Sequence, residues 1–552
     1  MEKKKWFDIW PYYLPFTIDY PEMDIWEMLE SPSRLYGNKN ALVYYGNRIK
    51  YRELWQNVKN LSTYIKMMGF GKGDRIGIMM QNSPQFIISF FAISRSGATI
   101  VLMSPALDME TAEYIARDTN LKMVITTAEL LKVPWDLHEK FNIPVICGLL
   151  KDYIKELDIP VPEFVLSDLD IRGVPWSEAV ENRPDAGHIE SGADAEALIA
   201  YTSGTTGIPK GCVHTNRSVI SNAIGASIWR RLTSSAIELG AAPFFHVTGL
   251  SFSMLSPVYS GATIAILTRW NSEAAIEAIE KYRVTHFVSV APMIVDLLNQ
   301  KNLENRDFSS MRFIGGGGAA MPEILAEKME DLFHIPFVEG YGMTETMGQT
   351  HINPPEHRKL QCIGIPQFGY DAKIISTETG TPVEEGTGEI VVRGPSLFNG
   401  YLNKPLDTMQ AFVNLDGQKY LRTGDIGYID NEGSFFVVDR LKRMINRAGF
   451  KVWPAQVDSL MLKHPDILEA CVVGTPDPRN GEEVKAYVVL RGHGKNKKIS
   501  EIEIVEWAKN EIGGYKYPRI VEFIESLPKT ATGKVDWRTL QERENKLKSF
   551  IP

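Results

Sequence analysis

Cysteine is scarce in this chain. There are four in 552 residues, Cys147, Cys212, Cys362 and Cys471. They are scattered, with none of the paired spacing of a metal ligand set, which argues against a zinc ribbon and against a disulfide framework. Buried free thiols in a reducing compartment are the expectation. Long apolar runs are missing as well. The strongest, residues 86–93, falls far short of the roughly 20 residues that a bilayer span needs. The start, MEKKK, is basic, but Trp6, Trp10, Pro11 and Pro15 stand where a secretory signal would have its apolar stretch. A cytoplasmic location is expected. Excess positive charge is also lacking. The net charge of −8 and the pI near 5.8 argue against a nucleic-acid partner, whose phosphates demand a basic face. No internal repeat of fixed period is present.

What the chain does have is length and apolar content. At 44% hydrophobic residues, 552 residues exceed one core and should divide into domains. Leu54, Val58, Leu61, Ile65 and Met68 recur at helical spacing and stop at Gly69, which predicts one amphipathic helix with a glycine past its last turn. An apolar run at 76–80, a helix opened by Ser83 and Pro84, a run at 99–103, a helix near 109–118 and a run at 123–127 follow. That alternation predicts a parallel, doubly wound sheet. Residues 156–194, rich in Pro, Asp and Glu, read as an irregular connection. Segments between 372 and 438 suggest short antiparallel strands. Residues 457–490 read as helix, strand, a PDPRNG turn and strand, a small α+β unit.

Residues 201–211, YTSGTTGIPKG, are the most informative segment. Gly204, Gly207 and Gly211 permit backbone turns that bring amides close to an anion. Thr202, Ser203, Thr205 and Thr206 add hydroxyl donors, and Lys210 adds a point charge. The spacing is not G-x-x-x-x-G-K-[ST], because Lys210 follows Gly207 by three and Gly211 stands in the Ser/Thr place. Phosphate binding by another architecture is one reading. A mobile Ser/Thr/Gly linker is the other.

YTSGTTGIPKG resembles the signature loop of the adenylate-forming enzymes: acyl- and aryl-CoA synthetases, beetle luciferases and peptide-synthetase adenylation domains. PFFHVTGL (243–250), GGGGAAM (315–321), GYGMTET (340–346), YLRTGD (420–425), DRLKRMINRAGFKVWP (439–454) and LPKTATGK (527–534) resemble further family motifs, in family order. The resemblance implies an α/β chain. Residues 1–441 would be a large N-terminal adenylation domain with doubly wound mixed sheets and a short β-barrel-like subdomain. Residues 442–552 would be a small, mobile α+β C-terminal domain hinged at Lys442.

It also implies a chemistry: an acid, ATP with Mg²⁺, and coenzyme A give acyl-CoA, AMP and pyrophosphate through an acyl-AMP. On this resemblance the loop from Ser203 to Lys210, with Thr202 before it, holds the β and γ phosphates. Thr344 touches the α-phosphate and Glu345 holds Mg²⁺. Tyr341 stacks on adenine beside Gly317, Gly318 and Ala319. Asp425, assisted by Arg440, accepts the ribose hydroxyls. Lys534 bridges the carboxylate and the α-phosphate.

His246, assigned both to catalysis and to the acyl pocket, would line that pocket with Val247, Gly249, Gly316, Gly342 and Gly348; a satisfied core histidine is the other reading of His246. Gly449 and Phe450, beyond the hinge, would face the coenzyme A tunnel. PFFHVTGL lacks the Asp that peptide-synthetase domains place near His246, and GYGMTET lacks the tryptophan that caps acetate pockets. The Trp, Pro and Tyr-Pro pattern of the opening stretch looks most like fatty-acid ligases.

A medium- or long-chain acid is therefore expected, with aryl and short hydroxy acids, loading of a separate carrier protein, luciferase-like oxidation and a catalytically silent binding protein as alternatives. A homodimer is left open. Two departures stand out. Gln456 replaces a customary carboxylate, and Trp537 stands where an arginine is usual, with Arg538 one place late.

Overall fold

The computed structural model describes residues 4–202, 209–318, 321–448, 450–491, 499–530 and 535–547. Two large sheets dominate. In the first, the order runs Gly400–Tyr401, Lys210–Thr215, Glu196–Thr202, Thr99–Leu102, Arg75–Met79, Met123–Thr127, Val145–Gly148 and Val174–Pro175. Its pairings are parallel from Glu196–Thr202 onward and antiparallel at the Lys210–Thr215 end. The second has nine strands, with Asn40–Tyr44, Thr263–Ile266, Ile237–Gly240, His286–Ser289, Phe313–Gly317 and Phe337–Met343 running parallel as its centre. Antiparallel strands close both of its ends.

The elements follow from local chemistry. Tyr51–Met67 is the expected amphipathic helix, and Gly69 after it takes φ +87°. Ser83 caps Pro84–Arg95, its hydroxyl accepting from the Phe86 amide at 3.2 Å. All of that helix is buried, so the apolar run at 86–93 is a core helix. Leu198 and Ile100 of the first sheet share one hydrophobic cluster with Leu239, Ile264 and Phe287 of the second and with Phe90 and Ile220 of the helices. Such layering, helices between and around mostly parallel sheets, buries central strands such as Thr99–Leu102 and Thr263–Ile266 on both faces.

A third, antiparallel sheet joins Asp371–Ile375, Gly388–Arg393, Gln418–Ile429 and Phe412–Leu415, with Phe435–Arg440 paired to Gln418–Ile429. A fourth holds Ile445–Arg447, Phe450–Val452, Ile467–Asp477, Gly481–Leu490 and Ile520–Phe523. Val452, Val457, Ile467, Val484 and Ile504 form a core of its own. Two readings of the sequence need correction. The stretch 156–194 is mostly irregular, but Val174–Pro175 adds an edge strand to the first sheet. PDPRNG is not wholly a turn, because pairing runs through Pro476 and Asp477 to Gly481; the long antiparallel ladder outweighs the proline's lost donor near its end. Among the described residues no helix is long and apolar enough to cross a membrane.

Candidate functional site

The turn Thr344–Thr346 sits where three sheets meet. It follows the strand Phe337–Met343, and Thr346 stabilises it locally: its hydroxyl accepts from the Met343 amide at 3.0 Å and lies 2.6 Å from the Gly348 carbonyl. From the first sheet, His214 Nε2 lies 2.8 Å from the Thr344 carbonyl. Burial pulls the His214 imidazole down to about 4, so it is neutral and donates from Nε2. From the edge strand Gly400–Tyr401, the Tyr401 hydroxyl donates to Glu345 Oε1 at 2.7 Å. The Phe398 amide donates to the Glu345 carbonyl at 2.9 Å. The Lys210 ammonium lies 5.0 Å from the centre of the Tyr401 ring and pairs with Asp407.

The third sheet supplies the other half. Asp425 and Arg440 are cross-strand partners, and Arg440 Nε lies 2.8 Å from Asp425 Oδ1. The Tyr341 hydroxyl donates to Asp425 Oδ2 at 2.5 Å. Tyr341, Glu345, Asp425, Arg440 and Lys210, read from four separate motifs, thus converge at one place beyond the ends of parallel strands, the usual position for a nucleotide in such a sheet. Tyr401 and His214 were not anticipated. Neither stands in a sequence pattern, and Tyr401 lies 56 residues from its carboxylate partner.

Glu345 is buried, and burial raises its carboxyl above the ordinary range, while the Tyr401 hydroxyl and the Arg440 charge hold it back. Tyr401→Phe removes one of those restraints. The acid limb of any activity that needs Glu345 ionised should then move to higher pH, read from a pH–rate profile. A limb that stays in place would mean that Tyr401 does not act on Glu345. Among the described residues no group of three or more His, Cys, Asp or Glu is placed to hold a metal. One hard carboxylate at Glu345 suits Mg²⁺, which is bound through one or two carboxylates together with substrate phosphates.

The two strands of the hairpin Glu196–Thr202 and Lys210–Thr215 bring Thr202 opposite Lys210. Ser203, Gly204, Thr205, Thr206 and Gly207 between them lie outside the described residues, as do Ala319, Gly449 and Lys534. Gly317 ends the strand Phe313–Gly317 beside Gly340, and Gly318 takes φ +85°. Burial and the nearby cations Lys210 and Arg538 lower the pKa of Lys442. Phe450 is exposed and stacks on Tyr515 at 4.8 Å.

The expected acyl-pocket glycines are of two kinds. A Cβ at Gly249 would meet the Pro243 carbonyl oxygen at 2.1 Å, at Gly316 the Ser289 oxygen at 2.4 Å and at Gly342 the Gly348 oxygen at 1.6 Å. These three allow close backbone approach. Gly348, at φ +117°, faces side chains instead: Asn222, Phe252 and Ser251. Val247 is part of the main hydrophobic core. His246 is half-buried, and its Nδ1 accepts from the Thr248 amide at 3.3 Å.

The chain matches the AMP-binding enzyme family over residues 29–402 and the AMP-binding enzyme C-terminal domain over residues 456–534. It is 31% identical over 563 residues to the long-chain-fatty-acid–CoA ligase of Bacillus subtilis, covering 98% of both chains. It is also 31% identical over 506 residues to a feruloyl-CoA synthase of Amycolatopsis, covering 91% of this chain and 95% of that one. Among solved structures, the o-succinylbenzoate CoA synthetase of Bacillus subtilis bound to its acyl-adenylate intermediate aligns with a TM-score of 0.79 at 28% identity, covering 94% of this chain and 98% of that one. ATP-bound MatB from Rhodopseudomonas palustris gives 0.84 at 25% identity, covering 95% and 100%. With residues of four motifs meeting at one place and its length matched almost throughout, the chain belongs to the AMP-binding enzyme family.

Proposed function

We propose that this chain is an AMP-forming ligase that joins a medium- or long-chain fatty acid to coenzyme A. A carboxylate is a poor electrophile, since its charge repels a nucleophile and oxide is no leaving group. Attack of the carboxylate on the α-phosphate of ATP, with release of pyrophosphate, gives an acyl-AMP. The coenzyme A thiol then displaces AMP. The first step needs in-line positioning and neutralisation of charge. The convergence of Glu345, Tyr341, Asp425, Arg440 and Lys210 carries the reading: a buried carboxylate to hold Mg²⁺ alongside the phosphates, a ring for adenine, a carboxylate assisted by an arginine for the ribose, and a lysine for the β and γ phosphates. ATP, Mg²⁺ and coenzyme A are thus the partners of the acid.

The fatty-acid assignment is supported by the near full-length likeness to a long-chain-fatty-acid–CoA ligase. An aryl acid is the second reading, favoured by the equal identity to a feruloyl-CoA synthase. Release of AMP from ATP and Mg²⁺ with acids from acetate to palmitate, benzoate and ferulate, each with and without coenzyme A, separates them. Turnover that needs both an acid and coenzyme A supports the ligase and names its acid. Acid-dependent pyrophosphate exchange that ignores coenzyme A points to a carrier protein.

Residues 442–552 are read as a second domain that turns about Lys442 between the two steps, with Gly449 lining the thiol tunnel. Gly449→Leu should abolish thioester formation while one turnover of pyrophosphate release survives. An unchanged coenzyme A step would place the tunnel elsewhere. A cytoplasmic location completes the proposal.

A further inference from the structure

The segment after PFFHVTGL is wound wide. Residues Gly249–Leu255 form a π-helix, and the Ser256 amide donates to the Ser251 carbonyl five residues back. Such turns are rare and concentrate at functional sites. Here the widened turn has a dedicated partner, for Arg230 Nη2 donates to the Phe252 carbonyl at 2.7 Å. Arg230 lies just past the helix Asn216–Trp229, and its Nη1 pairs with Glu238 at 2.9 Å; the two side chains are 1% and 0% exposed. Its guanidinium also lies 5.7 Å and 5.9 Å from the ring centres of Phe252 and Phe313.

A pair buried this deeply pays two desolvation penalties and is poor evidence for stability, since apolar replacements of the same volume often do as well. Of the Glu238 oxygens it is Oε2 that Arg230 holds. The pair therefore calls for a role other than stability, and its neighbours supply one. Ser251 Oγ donates to the Met347 carbonyl at 2.9 Å. A Cβ on Gly348 would stand 3.5 Å from the Phe252 ring and 3.7 Å from Ser251 Oγ. Phe252 is thus gripped by its carbonyl on one side, while its ring faces Gly348, the expected pocket glycine whose nearest neighbours are all side chains.

We propose that Arg230, clamped by Glu238, is a positioning residue for acyl selection: by holding the Phe252 carbonyl it fixes the π turn, and with it the depth at which the Phe252 ring meets Gly348. This rests on the ligase reading and on Gly348 lining the acyl site. Arg230 touches no substrate. It acts through Phe252, and its planar fork is what allows one side chain to hold a carboxylate and a carbonyl together.

The test compares kcat/KM across a series of straight-chain acids for the wild type, Arg230→Lys, and the double variant Arg230→Met/Glu238→Gln, which leaves no charge stranded. The double variant should shift the ratio of kcat/KM between the best acid and one two to four carbons away by about tenfold or more, the scale set by a methylene or two in a pocket. The change should lie in the KM for the acid, with the KM for ATP unmoved. Arg230→Lys, which keeps the charge and loses the fork, should shift the ratio less. A folded variant whose losses are uniform across the acids, or that moves the KM for ATP, overturns the proposal. Should the double variant fail to fold, an unshifted profile in Arg230→Lys does the same. A wild type that releases no AMP with any acid sinks the ligase reading itself; wild-type turnover with a profile that the variants share sinks this inference alone.

Discussion

Lys534→Ala should slow acyl-AMP formation by roughly 10²- to 10³-fold, the scale of losing one preorganised charge at a site where charge develops. Thioester formation from supplied acyl-AMP should be far less affected. The asymmetry follows from electrostatics. In the first step a carboxylate and a triphosphate, both anionic, must come together, and a lysine bridging them offsets the repulsion. In the second the electrophile is already made, and the thiol attacks without that obstacle. Acid-dependent exchange of labelled pyrophosphate into ATP reads the first step; loss of coenzyme A thiol in the presence of synthetic acyl-AMP reads the second. Equal losses in both would refute the assignment of Lys534 to adenylation and the rotation of the small domain between steps.

The second large effect is expected at Glu345. Glu345→Gln keeps an oxygen for the Tyr401 hydroxyl, so the turn and its junction with the edge strand stay in place. It removes the one negative charge that would meet Mg²⁺ there. Adenylation should fall by about 10²-fold, and the Mg²⁺ concentration for half-maximal rate should rise. The pH profile offers an independent check. Burial raises the Glu345 carboxyl of the metal-free site, so in kcat/KM for ATP, which reports the free enzyme, the ionised, active form is lost as pH falls through a value above the ordinary carboxylate range. The wild type should show that acid limb and the Gln variant should lack it. A Gln variant with an unaltered Mg²⁺ requirement would move the metal to another ligand.

Local patterns carried parts of the fold. The helix Tyr51–Met67 was legible because one apolar face repeats at helical spacing, and the capped start at Ser83 because a hydroxyl before Pro84 has one economical use. The motif-bearing residues Tyr341, Asp425 and Arg440 were legible only by resemblance, and they do meet. What the sequence hid was convergence. Tyr401 and His214 reach the Glu345 turn from strands of a different sheet, and no periodicity reports a contact between sheets. Glycines hid their direction. Gly249, Gly316 and Gly342 face backbone carbonyls, whereas Gly348 faces side chains; nothing in a run of glycines distinguishes a close strand approach from a pocket wall. The π turn was equally silent, because a wide turn and an ordinary one read alike in an apolar segment.

The four cysteines have a practical meaning at the bench. All are buried, and burial pushes Cys147, Cys362 and Cys471 up to about 12 and Cys212 well above its ordinary value. Since only the thiolate reacts, the folded chain should be dark to colorimetric thiol reagents. The coenzyme's own sulfur can then be titrated in timed aliquots, even at enzyme concentrations matching the substrate, without a protein background. Enzyme left with the reagent alone should colour only as it unfolds, so that rise would clock its unfolding.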